Sequence, residues 1–506
     1  MNEQVEKQAL EEMLSEGNFA AAINELKNGR ITDLPNTTQN VREYDPKLHD
    51  INDPKLRPDK LVVVDKDSDE YGEVKNINPN VEYTTEQGYR IEAVNRVALA
   101  IQKLITKRAV AFTFGNPVNY NATPEENTKE ADVLKAVNRI FHDVKERTIN
   151  RKVARSLYSS TEVAELWYPV ETREEHTTYG FPTKRKFKVA IFSPALGDKL
   201  YPYFDETRDM VAFSREFSRK DKDMKERTYF ETYTADKHYM WYCDGTQGIE
   251  AGREWTLVEG YPKDLGIGKI PVIYGCQPQT EWEDVQGLID RLEKLLSNFA
   301  DTNDYHASPK IFVEGHIVGF ARKGEAGGII EGEEGSKASY LSWQSAPESV
   351  KLEIDTLLRM IYTITQTPDI SFDTVKGIGA VSGVALKLLF MDAHLKVQDK
   401  CEIFDEYLQR RVNVIKAFLK QANAGAKDFT AACDSIIVEP EIVPYIIEDE
   451  LSKINLLQAA NGQKPIASQQ TTVRRLGWAD NPDEELERIA QEQERDNAFY
   501  QGEPTI

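Results

Sequence analysis

Few side chains in this sequence stand at spacings that chemistry would require. The seven histidines are scattered. His306 and His316 flank a glycine-rich insert but lack metal-ligand spacing, and a lone histidine of this kind is more often an exposed or hydrogen-bonded side chain than a ligand. Cys243, Cys276, Cys401 and Cys433 are far apart and form no CxxC pair, so they read as reduced structural thiols. Asp65, Asp67 and Asp69 alternate as at the head of a calcium loop. However, Glu70 stands where that loop needs glycine and Asn76 where it needs glutamate, which favours a solvated acidic turn. Acidic runs such as Glu333-Glu334 and Asp483-Glu484-Glu485 could serve general acid–base chemistry. They are too common here to single out one pair, and a solvated face is the default.

Nucleotide chemistry has no better support. No GxxxxGK[ST] phosphate loop is present, so the chain is not expected to be a nucleotide-driven motor by itself. Gly377-Ile378-Gly379 with Gly383 departs from the dinucleotide fingerprint, because the third glycine is misplaced and no strand leads into it. Neither HExxH nor GxSxG occurs. The expectation is a protein without catalytic residues, cofactor or metal ion.

The elements that would position any site centre on residues 347–425. Val350, Ile354, Leu357, Leu358, Ile361 and Ile364 recur at helical spacing. Pro368 biases Thr367 away from helical geometry, and Gly377, Gly379 and Gly383 extend the break. From Val384 to Ala422 no proline or glycine interrupts, which allows a helix of ~50–60 Å. Such a length implies something elongated to line, cross or bundle. Upstream, Val285, Leu288, Ile289, Leu292, Leu295, Leu296 and Phe299 form one stripe of a helix expected over residues 281–300. Between the two lies an insert, 308–343, with strand-like pieces at 310–313, 328–330 and 339–343.

The remaining chain divides by pattern. Residues 1–84 are polar and acidic, with weak helix at 4–16 and 20–26. Ile91, Val94, Val97, Ala98, Ile101, Leu104 and Ile105 predict an amphipathic helix over 90–105, followed by helices at 130–146 and 150–160. Alternation at Phe187, Val189 and Ile191, at Val211 and Phe213, and at Tyr239, Trp241 and Cys243 predicts strands, with a turn at Asp236-Lys237. Pro271 at the start of a further strand suits a sheet edge. After Gly425, a C-cap residue, a strand is expected at 435–438, then helices at 448–460, 468–476 and 482–496.

The chain has 506 residues, is 40% hydrophobic and 29% charged, and carries a formal net charge of -21. Its length suits about three structural regions. Mean hydropathy is -0.54, with no apolar run of membrane-spanning length and no signal sequence, so a soluble protein made in a cytoplasm is expected. The acidic balance argues against tight wrapping of nucleic acid but does not exclude a surface past which DNA slides, where net repulsion would prevent sticking.

The order of elements resembles the portal proteins of tailed bacteriophages, in particular the long-tailed type. Asn95-Arg96-Val97 through Thr113-Phe114-Gly115-Asn116-Pro117-Val118 is similar to the family's helix ending in a Gly-x-Pro turn. Phe187 to Pro194, Tyr203-Phe204-Asp205 and Tyr229 to Trp241 resemble its wing strands. Ile270-Pro271-Val272-Ile273-Tyr274, then Asp284-Val285, Leu288-Ile289-Asp290 and Leu296-Ser297-Asn298, resemble the approach into its stem. The most specific match is Thr365-Gln366-Thr367-Pro368-Asp369-Ile370-Ser371 followed by Ser382-Gly383-Val384-Ala385-Leu386-Lys387. Asp483 to Ile489 is similar to its acidic terminal helix. The first eighty or so residues have no counterpart, and Ser159-Ser160-Thr161-Glu162 stands where the family often has glycine before an aromatic residue.

The resemblance implies an α+β portal-type fold: a mixed α/β wing, a helical stem, a small β-containing clip, a long kinked helix with a tunnel loop, and an α-helical crown. After the N-terminal segment 1–84, the implied regions are wing 85–280, stem helix 281–307, clip 308–346, second stem helix 347–367, tunnel loop 368–383, long wing helix and strand 384–447, and crown and tail 448–506. It further implies a homo-oligomeric ring, usually of twelve, at one capsid vertex, through which double-stranded DNA is packaged and ejected. Implied partners are the terminase large subunit, major capsid and scaffolding proteins and a head–tail adaptor, in a virion and with no membrane. Within that reading Asp369, Asp373, Lys376, Gly377 and Gly379 belong to the tunnel loop. Lys376 is the candidate DNA contact, with Lys351 and Arg359 on the stem; intersubunit salt bridges are the alternative for these cations. Leu288, Leu292, Leu295, Leu296, Ile354, Leu358 and Ile361 would pack the stem and seal the subunit interface. Two rival readings stay open: a capsid-associated adaptor without a DNA channel, and a hydrolase using paired carboxylates of the β-rich half.

Overall fold

Period-two alternation builds the central sheet. Lys199–Phe204, Met210–Lys220, Glu226–Tyr233 and Lys237–Asp244 pair antiparallel in sequence order, and Thr256–Leu257 adds to the last of them. The expected turn joins two of these strands, with the Thr234 amide donating to the Lys237 carbonyl at 2.9 Å. Successive side chains leave on opposite faces, and both faces are covered. Leu200, Phe213 and Tyr233 meet Ala164, Leu166, Phe192, Val272 and Tyr274 of a second antiparallel sheet. In that sheet Glu162–His176 lies between Thr183–Phe192 and Val272–Cys276, so the strand following Pro271 is indeed an edge. Tyr201, Phe230 and Trp241 instead pack beneath the helix Phe19–Asn28, whose Ala22, Ile23 and Leu26 are buried. Lys27 on that helix pairs with Glu216 beside the rings of Tyr201, Phe230 and Trp255.

The computed structural model describes residues 12–14, 17, 19–29, 37–64, 88–125, 127–220, 223–244, 254–306, 310–314, 317–319, 331–332, 337–341, 347–369, 390–445, 450–462, 465–479 and 482–500. They form two compact units, one of residues 1–367 with 396–444, the other of residues 368–395 with 445–506. In the second unit, helices Glu450–Asn461, Gln469–Leu476 and Pro482–Tyr500 stand where they were expected. Ser468 caps the middle one, its hydroxyl accepting from the Thr471 amide at 3.2 Å, and Gly477 ends it at φ +75°.

In the first unit, helices Ile101–Phe114, Lys129–Val144 and Glu146–Ser160 accompany the smaller sheet. The long helix Met391–Ala422 has 32 residues, of which 396–422 belong to the first unit. Phe404 meets the Phe114 ring at 4.9 Å, and Phe418 meets Phe187 at 5.5 Å. Gly275 permits close approach here, because a Cβ at that position would stand 2.9 Å from Tyr407 Cδ2. In the insert, Lys310–Glu314 pairs with Lys337–Leu341 and Ile317–Gly319 with Glu331–Gly332.

Two expectations are corrected. Residues 90–105 are not one helix: Gly88–Glu92 is a strand paired with Lys60–Val64, residues 93–100 are non-helical, and the helix starts only at Ile101. Apolar spacing in that stretch was helical, but side chains elsewhere in the fold bond its backbone and hold it extended. Residues 435–438 are not a strand either. A helix, Lys427–Ser435, ends there, and the strand is Glu439–Glu441, paired with Asn119–Asn121. The helix expected from residue 281 has a 3-10 turn, Glu283–Val285, before the α-helix Gln286–His306.

Candidate functional site

The apolar stripe of Gln286–His306 and that of Pro347–Ile364 meet in one cluster. Val285, Ile289, Leu292, Leu357 and Ile361 are buried there with Ile101, Ile105 and Trp282. Leu288, Leu295, Leu296, Ile354 and Leu358 surround them, half-buried. Leu292 and Ile361 are 1% and 0% exposed within a single chain, so they have no surface to offer a second subunit. The Arg291 guanidinium donates to Glu353 at 2.9 and 2.7 Å across the pair.

At one end of this hairpin a single carboxylate gathers two ammonium groups. Glu281, 9% exposed, lies 2.6 Å from Lys396 and 2.5 Å from Lys400, which are one turn apart on the long helix. Lys396 also donates to the Thr365 carbonyl at 3.0 Å, and Lys400 to Gln277 Oε1 at 3.1 Å. The start of the first helix and the end of the second are thus tied to one lysine, which makes the hairpin antiparallel. Burial alone would raise the Glu281 carboxyl, but the two facing cations outweigh it and hold it low. Lys396 is pulled below the usual lysine range by burial, since it shares its carboxylate with Lys400.

The second helix stops beside this base. The Gln366 amide donates to the Thr363 carbonyl at 3.2 Å and the Thr367 amide to the Tyr362 carbonyl at 2.9 Å, with Gln366 left-handed at φ +50°. This is a Schellman cap with glutamine where glycine is usual, and the Lys396 ammonium meets a terminal carbonyl at the negative end of the helix dipole. A cleft of about 510 Å³ adjoins, lined by Gln277, Glu281, Thr365, Gln366, Lys396 and Lys400 among others.

The first helix carries a second device on its other flank. Glu293, Ser297 and Asp301 accept the backbone amides of Leu99, Val97 and Asn95 at 2.7, 2.9 and 2.7 Å. Four helical residues rise about 6 Å and two extended residues about 6.6 Å, so a row of helix side chains serves as the ladder partner of an extended chain. This holds residues 93–100 out of the helix their spacing suggested. Arg57 reinforces the row through Asn298 and Asp301, each at 2.9 Å. His49 places Nδ1 2.7 Å from Glu293 Oε1 and Nε2 2.7 Å from the Glu43 carbonyl. A ring carrying both protons donates to each of these acceptors. Burial works against that charge, but Glu293, the Glu43 carbonyl and Asp290 raise the pKa above the ordinary value.

Buried carboxylates of the β-rich half are committed to structural bonds. Arg411 on the long helix, 1% exposed, donates to both oxygens of Glu165 at 2.6 and 2.8 Å and to Asn150 Oδ1 at 2.6 Å. The Trp167 indole also donates to Glu165, at 2.9 Å, and Glu146 accepts from Tyr120 at 2.9 Å. Glu162 accepts from Tyr274 at 2.9 Å, and Glu231 lies 2.7 Å from Arg215. Among the described residues no three metal-capable side chains cluster, and no helix is long and apolar enough to cross a membrane.

Of the residues singled out from sequence, the seven apolar ones come together in the hairpin. Lys351 and Arg359 are exposed on its second helix and Asp369 is half-buried beyond its cap. Asp373, Lys376, Gly377 and Gly379 lie outside the described residues, as does the acidic turn at 65–69. Sequence reasoning missed Glu281, Lys396, Lys400, His49 and Arg411. Arg411 had a signal: it stands one turn from Tyr407 and from Ile415 on the buried face of its helix. Glu281 had none.

The family described as "Phage portal protein, SPP1 Gp6-like" matches residues 23–498. Among solved structures, the chain is similar to one from the neck of a native gene transfer agent particle computed with C12 symmetry, at 11% identity and TM-score 0.37, over 75% of this chain and 89% of that one. A chain from the neck of an empty particle computed with C6 symmetry matches at 10% identity and TM-score 0.38, over 75% and 89%. One from the virion of a native particle matches at 10% and 0.36, over the same shares. Comparison with curated proteins finds no match.

Proposed function

The chain belongs to the SPP1 Gp6-like family of phage portal proteins, and from that premise we propose that its copies close into a ring at one capsid vertex through which double-stranded DNA is packaged and ejected. The observation that carries this is the family match across residues 23–498. In this reading residues 85–280 form the wing, 281–307 and 347–367 the stem, 308–346 the clip, 368–383 the tunnel loop, 384–447 the long wing helix and strand, and 448–506 the crown. The ring has twelve subunits and sits in the virion. The terminase large subunit, capsid and scaffolding proteins and a head–tail adaptor are its partners.

The physical logic is passage without retention. Duplex DNA carries roughly one charge per 1.7 Å of axis, so a strongly basic channel would hold it. A subunit of net charge -21 keeps the duplex centred, with Lys376 as an isolated weak contact. The hairpin gives each subunit a stiff two-helix wall, and its charged base ties the start of the first helix and the end of the second to Lys396 and Lys400. Native mass spectrometry of the purified chain tests the ring directly: a closed oligomer is expected, and monomers or dimers alone would defeat the proposal. Lys376→Ala should alter packaging with the ring intact; an unchanged packaged length would remove Lys376 as a DNA contact.

A further inference from the structure

The hairpin's charges divide by the side they occupy. Arg291 and Glu353 pair with each other within the chain. Lys294 on the first helix, and Lys351, Asp355 and Arg359 on the second, are exposed and make no ion pair with any described residue. Asp290, also exposed, receives a hydrogen bond from Gln286 of its own helix at 2.8 Å and lines a cleft with Arg42, Glu43, His49 and Asp50, where His49 faces it as a base and Glu293, Asp50 and Glu43 as acids.

Spacing makes these charges complementary. Asp290 and Lys294 are one turn apart, as are Asp355 and Arg359. Laid antiparallel, as the two helices already lie within the chain, Asp290 falls opposite Arg359 and Lys294 opposite Asp355. Both contacts then pair opposite signs, whereas a shift of one turn sets like charges together. Beside them Leu352, Met360 and Ile364 repeat at eight and four residues and are 68%, 47% and 49% exposed. With Lys351 the exposed set holds two acids and three bases, and its alternating signs suit a helix face of matching pattern better than a phosphate backbone.

Building on the ring reading, we propose that this is the seam between copies: the second helix of one subunit docks on the first helix of the next, pairing Asp355 with Lys294 and Arg359 with Asp290. Leu352, Met360 and Ile364 supply the apolar part of the contact. Two different faces meet, so the contact is head-to-tail and closes into a ring where the rotation closes. Arg359 then belongs to the interface and not to the channel, and the pairs weaken with salt because they lie at the surface.

Charge reversal tests the pairing. Asp355→Lys and Lys294→Asp should each shift subunit association by about tenfold per interface, since attraction becomes repulsion at a partly exposed pair. The double variant should restore wild-type association. Assembly is read by native mass spectrometry and light scattering, with circular dichroism confirming that the exposed substitutions leave each subunit folded. Singles that assemble like wild type, or a double variant no better than the singles, would overturn the seam while leaving the ring standing. A wild-type protein that never forms rings would overturn both.

Discussion

Replacing Glu281 by glutamine keeps the side chain's shape and removes the one charge that compensates two largely buried ammonium groups. The Lys396 and Lys400 side chains are 11% and 18% exposed, against 2% for Glu281. After the change Lys396 keeps the Thr365 carbonyl, and Lys400 keeps Gln277 and the Tyr158 ring 5.2 Å away. Removing one member of a buried pair costs about 3–5 kcal/mol, and the lysines' residual solvent contact reduces this to about 2–4 kcal/mol. Calorimetric unfolding across pH, at matched assembly state, checks both size and sign. The Glu281 carboxyl is depressed in the fold. Its contribution is therefore complete above the unfolded value of about 4.5 and is lost as pH falls through the folded one. Wild type should exceed the variant near neutrality and converge on it in acid. Adding Lys396→Met should recover part of the loss. A variant within about 1 kcal/mol of wild type at neutral pH, or a difference that ignores acid, would refute the claim that this charge clamps the helix ends.

Other expectations follow from the same geometry. Arg411→Met leaves Glu165 buried without its cation and should destabilise by about 3–5 kcal/mol in denaturant melts, with Glu165→Met added recovering most of it; additive losses would contradict a paired network. His49 is raised in the fold, so its contribution is full below about 6.5 and fades as pH rises through the folded value. The gap in melting temperature between wild type and His49→Gln should therefore narrow in alkali, and a constant gap would speak against a charged His49. Gln366→Gly relieves a left-handed side chain at φ +50° and should stabilise by about 0.5–1 kcal/mol. A loss of stability would instead mean that the glutamine side chain contributes a contact.

What sequence conveyed was whatever its own periodicity controls. The stripes at Leu288 to Leu296 and at Ile354 to Ile361 met as their spacing required, and the strands around Phe187, Phe213 and Trp241 paired as alternation implied. Residues 93–100 failed because their conformation is set by Glu293, Ser297 and Asp301, roughly two hundred positions away, which no local pattern encodes. The short helix Lys427–Ser435 went unread because Gly425 had already marked an end, and its buried residues are just Phe429, Ala432 and Cys433. The charged base was invisible for a related reason. Glu281 is one acid among many in sequence, and only folding brings Lys396 and Lys400 to it. Residues 1–84 read as polar and acidic with weak helix, yet Ile23, Leu26 and His49 are buried in the first unit.

Electron microscopy of the purified chain at physiological salt tests the central claim most directly. Closed rings of one subunit number are expected, with an open centre walled by the hairpin and Asp355 of each copy against Lys294 of the next. Particles that stay monomeric, or rings whose centre is filled, would contradict it.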